Sequence, residues 1–235
     1  YESIKSIRLQ KAANLLLTNK YSTISNVANE CGYSSQSSFI KVFKERFGMT
    51  PKAWRQGGYK RYSNEILKQS KNALHSQADF SALTPTIVKM PSIESYYIRN
   101  QGYNTNVKET WQKMQTWILS HHIEDPVQIA LLHDNPTITP LAECQYIACV
   151  STPKEEKITS QRLPKFKISD GVYAKFDLQG KHGDMLKFIH WVYHEWLVKS
   201  DYETSTKPSY VIYRKNNFLS EDGEFDISFY VSITF

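Results

Sequence analysis

Gln36, Ser37, Lys41 and Lys44 are spaced to share one side of a helix, and their side chains donate hydrogen bonds to base edges and phosphates. Phe39, Val42, Phe43 and Phe47 fall on the other side, an apolar stripe of helical period. The polar side would equally suit a solvated basic surface. His190 and His194 stand four apart, the spacing of a zinc-binding pair on a helix. Trp191 occupies the place where H-E-x-x-H needs its glutamate, so no metal site is expected. Neither a glycine-rich phosphate loop nor a Gly-x-Ser-x-Gly elbow occurs, so no cofactor and no catalytic residue is expected.

The elements that would position the first group are legible around it. Ile24, Val27, Ala28 and Cys31 follow i, i+3, i+4, i+7, a short amphipathic helix. Gly32 then breaks it with the backbone freedom that a tight turn needs. Ser34 or Ser35 caps the next helix, Gly48 ends it, and Thr50-Pro51 opens one more short helix. Upstream, Ile4, Ile7, Ala12, Leu15 and Leu16 predict a further helix.

The run TISNVANECGYSSQSSFIKVFKERFGMTPKAWR (23–55) resembles the second helix-turn-helix of the AraC/XylS family of transcription regulators. Tyr33, Phe39, Phe43, Lys44, Phe47, Gly48, Pro51 and Arg55 match that pattern as they stand, and Arg8-Leu9 takes the family's R-L-x-x-A position. The resemblance implies a DNA face made of Gln36, Ser37, Ser38 and Lys41 near the bases. Lys44, Lys52 and Arg55 would lie nearer phosphates. Family members carry a first helix-turn-helix before the linking helix, so the chain, which opens on Tyr1, is expected to be a truncated product.

Charge supports a division of labour. The net charge is +6, but residues 1–78 hold 13 Lys and Arg against 4 Asp and Glu, and the remainder is mildly acidic. Three cysteines without close metal spacing argue against a disulfide framework and a zinc site. No stretch of about 18 apolar residues occurs, so no membrane partner is expected and the cytoplasm is the expected compartment.

Residues 57–79 are polar with glycines and read as a linker, with one turn of helix around Ile66-Leu67. A second domain, 80–235, has a different texture of alternating apolar residues. Strand-like 93–102 precedes a helix bearing Val107, Trp111, Met114 and Ile118. Strand-like 171–180 precedes a helix bearing Leu186, Ile189, Trp196 and Leu197. Strand candidates 127–134 with 145–151, and 208–214 with 225–233, follow the two helices. The order strand-helix-strand-strand therefore occurs twice. Such halves leave a groove between them, a natural ligand site.

The tracts EDP (124–126), CQYIACVS (144–151), ISDGVYAKFDLQG (168–180), HWVYHEWL (190–197), PSYVIY (208–213) and FDISFYV (225–231) resemble the GyrI-like effector-binding domain. Together the two resemblances imply an α+β chain. A partial AraC-type DNA-binding unit, all-α, over 1–56 precedes a duplicated strand-helix-strand-strand GyrI-like domain. They imply DNA, a small lipophilic or cationic effector and RNA polymerase as partners. Glu195 matches the family's pocket glutamate, with Trp191 one turn before it and Trp111, Tyr103 and Tyr146 as aromatic lining. A carboxylate among ring faces would attract a delocalised cation. Rival readings are a hydrolase of lipophilic electrophiles, pairing Glu195 with Tyr146 as general base and donor, or a protein-interaction module.

Overall fold

In the computed structural model, which describes residues 2–103, 106–152 and 163–234, the first sixty residues form a small helical unit. Helix α1 (Glu2–Thr18) leads into α2 (Ile24–Glu30), capped where the Thr23 hydroxyl accepts from the Asn26 N–H. Ser35 caps α3 (Gln36–Phe47) through the Ser38 N–H, and Gly48 ends it at φ +70°. Thr50 caps α4 (Pro51–Ala53), with Pro51 in the first turn. Their apolar stripes meet around Trp54, which is fully buried and donates from Nε1 to the Ala13 carbonyl at 3.0 Å. Phe43 and Phe47 pack on that indole with ring centroids 5.8 and 4.8 Å away.

The expected linker is largely helical, a correction to the sequence reading. A π-helical turn (Trp54–Gly58) runs into α5 (Tyr59–Gln69), and α6 (Lys71–His75) follows after Ser70. Tyr59, Ser63 and Ile66 bury one side of α5 against the rest of the protein, so tertiary packing overrides the polar composition of the segment.

The remaining chain forms β1 (Thr86–Met90), β2 (Ile93–Gln101), α7 (Asn106–Ser120), β3 (Val127–Leu132), β4 (Gln145–Ser151), β5 (Lys165–Ile168) and β6 (Gly171–Lys181). Helix α8 (Asp184–Trp191) passes through a π-helical turn (Val192–Trp196) into α9 (Leu197–Lys199), ahead of β7 (Glu203–Thr204), β8 (Ser209–Lys215) and β9 (Glu224–Thr234). The antiparallel order is β1-β6-β9-β8-β3-β4-β2-β5, with β7 beside β9. That order is palindromic under exchange of the halves, so the duplication is real. Each half also has a leading strand the sequence reading lacked, and the halves swap them: β1 pairs with β6, and β5 with β2.

Alternation along the strands builds two apolar faces. Ala130, Tyr146, Ala148, Phe176, Val211, Ile227 and Phe229 face the helices. Ile129, Leu131, Ile147, Cys149, Tyr173, Tyr210 and Tyr230 form a second buried cluster, which Val88, Met90 and Phe166 from the sheet edges help to cover.

The hydrophobic core runs through both the helical unit and the sheet domain, and polar contacts add direction to the join. Asn19 donates to the Thr204 carbonyl and accepts from the Thr204 N–H, both at 3.0 Å, and the Thr18 and Thr204 hydroxyls lie 2.6 Å apart. Asn135 donates to the Asn14 side chain at 2.8 Å, and Arg46 meets Glu143 at 2.7 Å. His194 Nε2 lies between Ser63 (3.2 Å) and Thr137 (3.0 Å), and burial pulls its pKa down to about 3.

Two consequences are measurable. Asn19→Ala leaves a buried N–H and carbonyl of Thr204 without this partner, a cost of about 1–3 kcal/mol. Urea denaturation should show that loss, whereas a shift below about 0.5 kcal/mol would deny the contact its role. His194 also makes stability depend on pH. The unfolded chain takes up its proton near the ordinary value of 6.5, but the folded chain does so only near 3. Stability from neutral His194 is therefore complete above pH 6.5 and is lost as pH falls toward 3, at up to about 1.4 kcal/mol per pH unit. His194→Gln should flatten the difference between denaturation midpoints at pH 7 and 5.

Candidate functional site

Helix α3 presents the first candidate surface. Gln36, Ser37, Ser38, Lys41 and Lys44 are all exposed, and Lys52 is exposed on α4. Ser37, Lys41 and Lys44 follow i, i+4, i+7, so one strip of the helix carries a hydroxyl and two ammonium groups into solvent. The Ser38 N–H is held by the Ser35 cap, while its side chain stays on the exposed first turn. Arg55 departs from expectation. Its Nε and Nη2 are enclosed without a hydrogen-bond partner among the described residues, and burial lowers its pKa, with Glu203 of the sheet domain opposing that shift. The side chain feels the Glu203 carboxylate of the sheet domain, and the chain kinks two residues later at Gly57, where φ is +108°.

The second candidate is a cleft on the helix side of the sheet, between α7 and α8. It encloses about 800 Å³ including its open mouth. Leu132 of β3, Tyr146 of β4, Tyr213 of β8 and Ile227 of β9 form its floor. Val107 of α7 and Met185, Leu186 and Ile189 of α8 form its sides, with Tyr103 where β2 leads into α7. Pro136 and Leu141, from the segment joining β3 to β4, form another wall, and Phe218 and Phe225 complete the aromatic lining. Ser70 and His182 lie at the mouth beside Gly183. There φ is +109°, and any Cβ would lie 2.6 Å from the Asn72 carbonyl oxygen, so α6 can press against the start of α8.

A hydrogen-bonded aromatic group sits at the base. Trp111 Nε1 donates to the Tyr146 hydroxyl at 2.8 Å, and the Tyr146 and Tyr213 hydroxyls lie 3.1 Å apart. The Trp111 and Tyr213 rings meet edge-to-face at 5.5 Å, as Tyr103 and Tyr146 do at 5.6 Å. The Tyr103 hydroxyl is enclosed and has no partner among the described residues. Burial holds the Tyr103 and Tyr146 hydroxyls well above the usual tyrosine range and pushes Tyr213 up to about 12. All three therefore keep their protons at neutral pH and can act as donors.

The expected site is thus redrawn. Tyr103 and Tyr146 line the cleft together. Trp111 is fully buried one layer below the lining, as the support of Tyr146. Glu195 and Trp191 do share a helix face, but it is the outer one. They border a shallow depression with Leu83, Trp196 and Lys199, and the half-exposed Glu195 pairs with Lys199 at 3.6 Å. Ile189 faces the cleft, and Trp191, two residues on, lies about 200° around the helix. Trp191 instead packs near Phe80 and Phe176. Glu195 cannot serve Tyr146 as a general base from there, so the pairing that the rival hydrolase reading needs is not formed.

Tyr213 escaped the sequence reading, although alternation in PSYVIYR places it on the face of Val211. Phe218, Met185 and Leu186 carried no signal beyond being apolar. No group of three or more His, Cys, Asp or Glu that could hold a metal ion occurs among the described residues, and no helix of the described residues is long and apolar enough to cross a membrane.

Residues 83–233 match the GyrI-like small molecule binding domain, and residues 1–57 match a helix-turn-helix domain. The DNA gyrase inhibitor of Escherichia coli (strain K12) is 26% identical over 133 residues, covering 56% of this chain and 83% of that protein. The transcriptional activator AggR of Escherichia coli is 53% identical over 45 residues, which span 19% of this chain and 17% of AggR. The regulator GadX of Escherichia coli (strain K12) is 37% identical over 73 residues, 31% of this chain and 25% of GadX. The EcmrR–DNA complex shares the fold, with a TM-score of 0.52, 11% identity and coverage of 86% of this chain and 84% of that one. The chain belongs to the GyrI-like family and carries a helix-turn-helix domain ahead of its small molecule binding domain.

Proposed function

We propose that a lipophilic small molecule occupies the cleft between α7 and α8 and thereby alters how α3 engages promoter DNA and RNA polymerase. The observation that carries this reading is the segment between β3 and β4. Pro136 and Leu141 of that segment wall the cleft, while Asn135 bonds α1 through Asn14 and Glu143 bonds α3 through Arg46. Thr137 of the same segment reaches Ser63 of α5 through His194. A ligand that displaces Pro136 or Leu141 therefore acts on a piece of chain that touches α1 and α3 directly and reaches α5 through His194. Leu132, Pro136 and Ile189 also separate the cleft from a second cavity, about 550 Å³, against Gln10, Lys11, Asn14 and Leu15 of α1. Ligand binding shifts the regulator only by its difference in affinity between two arrangements of this wall.

On the DNA side, Gln36, Ser37 and Lys41 are the residues we place at base edges, with Ser38, Lys44 and Lys52 nearer the backbone. Hydrolysis is the weaker reading, because the carboxylate it required stands on the outer face of α8 and its continuation.

The test begins with selection of a preferred sequence from random DNA, followed by fluorescence anisotropy. Lys41→Ala should lose about 1–3 kcal/mol on the selected site with little change on random DNA. Lys52→Ala should weaken both alike and reduce the salt dependence by about one phosphate contact. Equal losses on both DNAs for Lys41→Ala would remove it from base reading. Coupling has its own measurement: Asn135→Ala and Glu143→Gln should keep effector affinity within about twofold but reduce the effector-induced change in DNA affinity by about 1 kcal/mol. An unchanged response in both variants would exclude this segment as the link.

A further inference from the structure

Hydrogens, counted one by one, define what the cleft lacks. Trp111 spends its N–H on Tyr146, and one of the two hydroxyl hydrogens of Tyr146 and Tyr213 is spent between them. Whichever way that bond points, the other hydroxyl hydrogen of the pair has no acceptor among the described residues. The Tyr103 hydroxyl, enclosed in the same lining, is in the same position. The floor thus holds two unspent donors. Buried donors without acceptors are uncommon, and a ligand atom is a natural way to satisfy them.

Charge is the second observation. Among the described residues, the lining contains no Asp, Glu, Lys or Arg. Asp134 lies close by in sequence, but it borders the neighbouring cavities, accepts the Gln145 N–H at 2.7 Å and sits beside His133. An ion entering the cleft would lose its hydration without an opposite charge in the lining to pair with; Asp134 is felt at the Tyr103 hydroxyl only from outside the lining.

We infer that the cleft selects an uncharged aromatic molecule bearing a carbonyl-type hydrogen-bond acceptor, which it reads with the Tyr103 hydroxyl and the hydroxyl pair of Tyr146 and Tyr213. This deepens the reading of the cleft as an effector site and rests on it. The rings of Phe218, Phe225 and the tyrosines bury the flat apolar body, Val107, Leu186 and Ile189 close its sides, and the acceptor faces the floor.

Four probes share one two-ring frame and differ in a single group: benzophenone (neutral acceptor), diphenylmethane (no acceptor), benzhydrylammonium (cation) and diphenylacetate (anion). Titration calorimetry on the full chain should rank benzophenone first, about three- to tenfold tighter than diphenylmethane, the worth of one net hydrogen bond. Both ions should bind at least tenfold more weakly than benzophenone. Tyr103→Phe should bring benzophenone down to the level of diphenylmethane and leave diphenylmethane unchanged, with thermal stability retained because the lost hydroxyl had no partner. Tyr213→Phe should narrow the same gap. The inference is overturned if either ion binds as tightly as benzophenone, if none of the four binds, or if both variants keep the native preference for benzophenone. Benzophenone binding with this ranking but without any change in DNA affinity would support the ligand class and end the regulatory reading instead.

Discussion

Antiparallel pairing of β3 with β8, at the centre of the sheet, is the contact on which the rest of the ligand-binding domain depends. Ala130 stands opposite Val211, and Leu132 opposite Ser209. Each half sets its helix over its own outer strands, α7 over β2 and β4 and α8 over β6. Over the two central strands the helices part, and the cleft lies above Leu132 of β3 and Tyr213 of β8, while Ala130 and Val211 between them stay buried. Exchange of β1 and β5 between the halves fastens the pairing, since separating β3 from β8 would still leave β1 on β6 and β5 on β2. The cleft is thus a product of the duplication rather than of a particular loop.

The join between the DNA-binding helices and the sheet adds directed hydrogen bonds to an apolar core that runs through both units. Hydrogen bonds such as Asn19 to Thr204 and Asn135 to Asn14 contribute about 0.5–1.5 kcal/mol each, net of the water they replace. That scale matches the coupling energies by which effectors change affinity at a second site. The buried clasp at Thr18, Asn19 and Thr204 is doubly bonded and specific in direction, whereas the contacts of the β3–β4 segment are single bonds spread over three helices. On the proposed mechanism, the clasp is the fixed point and the segment is the part that yields.

How much of this was legible in the sequence follows from the range of the forces involved. The helices around Trp54 and the eight longer elements of the sheet domain were readable, because caps, glycines and apolar periods act within a few residues. Strands β1, β5 and β7 were not, since each is short and exists through its partner on a distant strand. Composition misled over residues 57–79, where α5 is polar around most of its surface but seats Tyr59, Ser63 and Ile66. Glu195 shows the limit of pattern matching. A helix position is specified by sequence, but which side of the helix meets the cleft is decided by how the helix rolls on the sheet. Phe188, Val192 and Leu197 take the sheet, Met185, Leu186 and Ile189 take the cleft, and Glu195 remains outside. Arg55 is half-enclosed beside Glu203 of the sheet domain, a long-range contact that no local pattern announces.

Recognition and transmission are consequently built from different parts of one cavity. The polar groups that would read a ligand stand mainly on strands, Tyr146 on β4 and Tyr213 on β8, and Trp111 fixes the first of them from below. Strands paired on both sides move little, so donor positions on them are well defined. The opposite wall is Pro136 and Leu141, on a connecting segment whose outward contacts lead to α1, α3 and α5. A change at the floor alters which molecule fits without touching the helices. A change in the wall alters what the helices feel and leaves Tyr146 and Tyr213 in place, though it reaches Tyr103, whose N–H donates to the Leu141 carbonyl at 2.8 Å. The strand-borne pair Tyr146 and Tyr213 lets the ligand preference of the domain vary while its connection to the DNA-binding unit is kept, and Tyr103 is the donor that ties the two together.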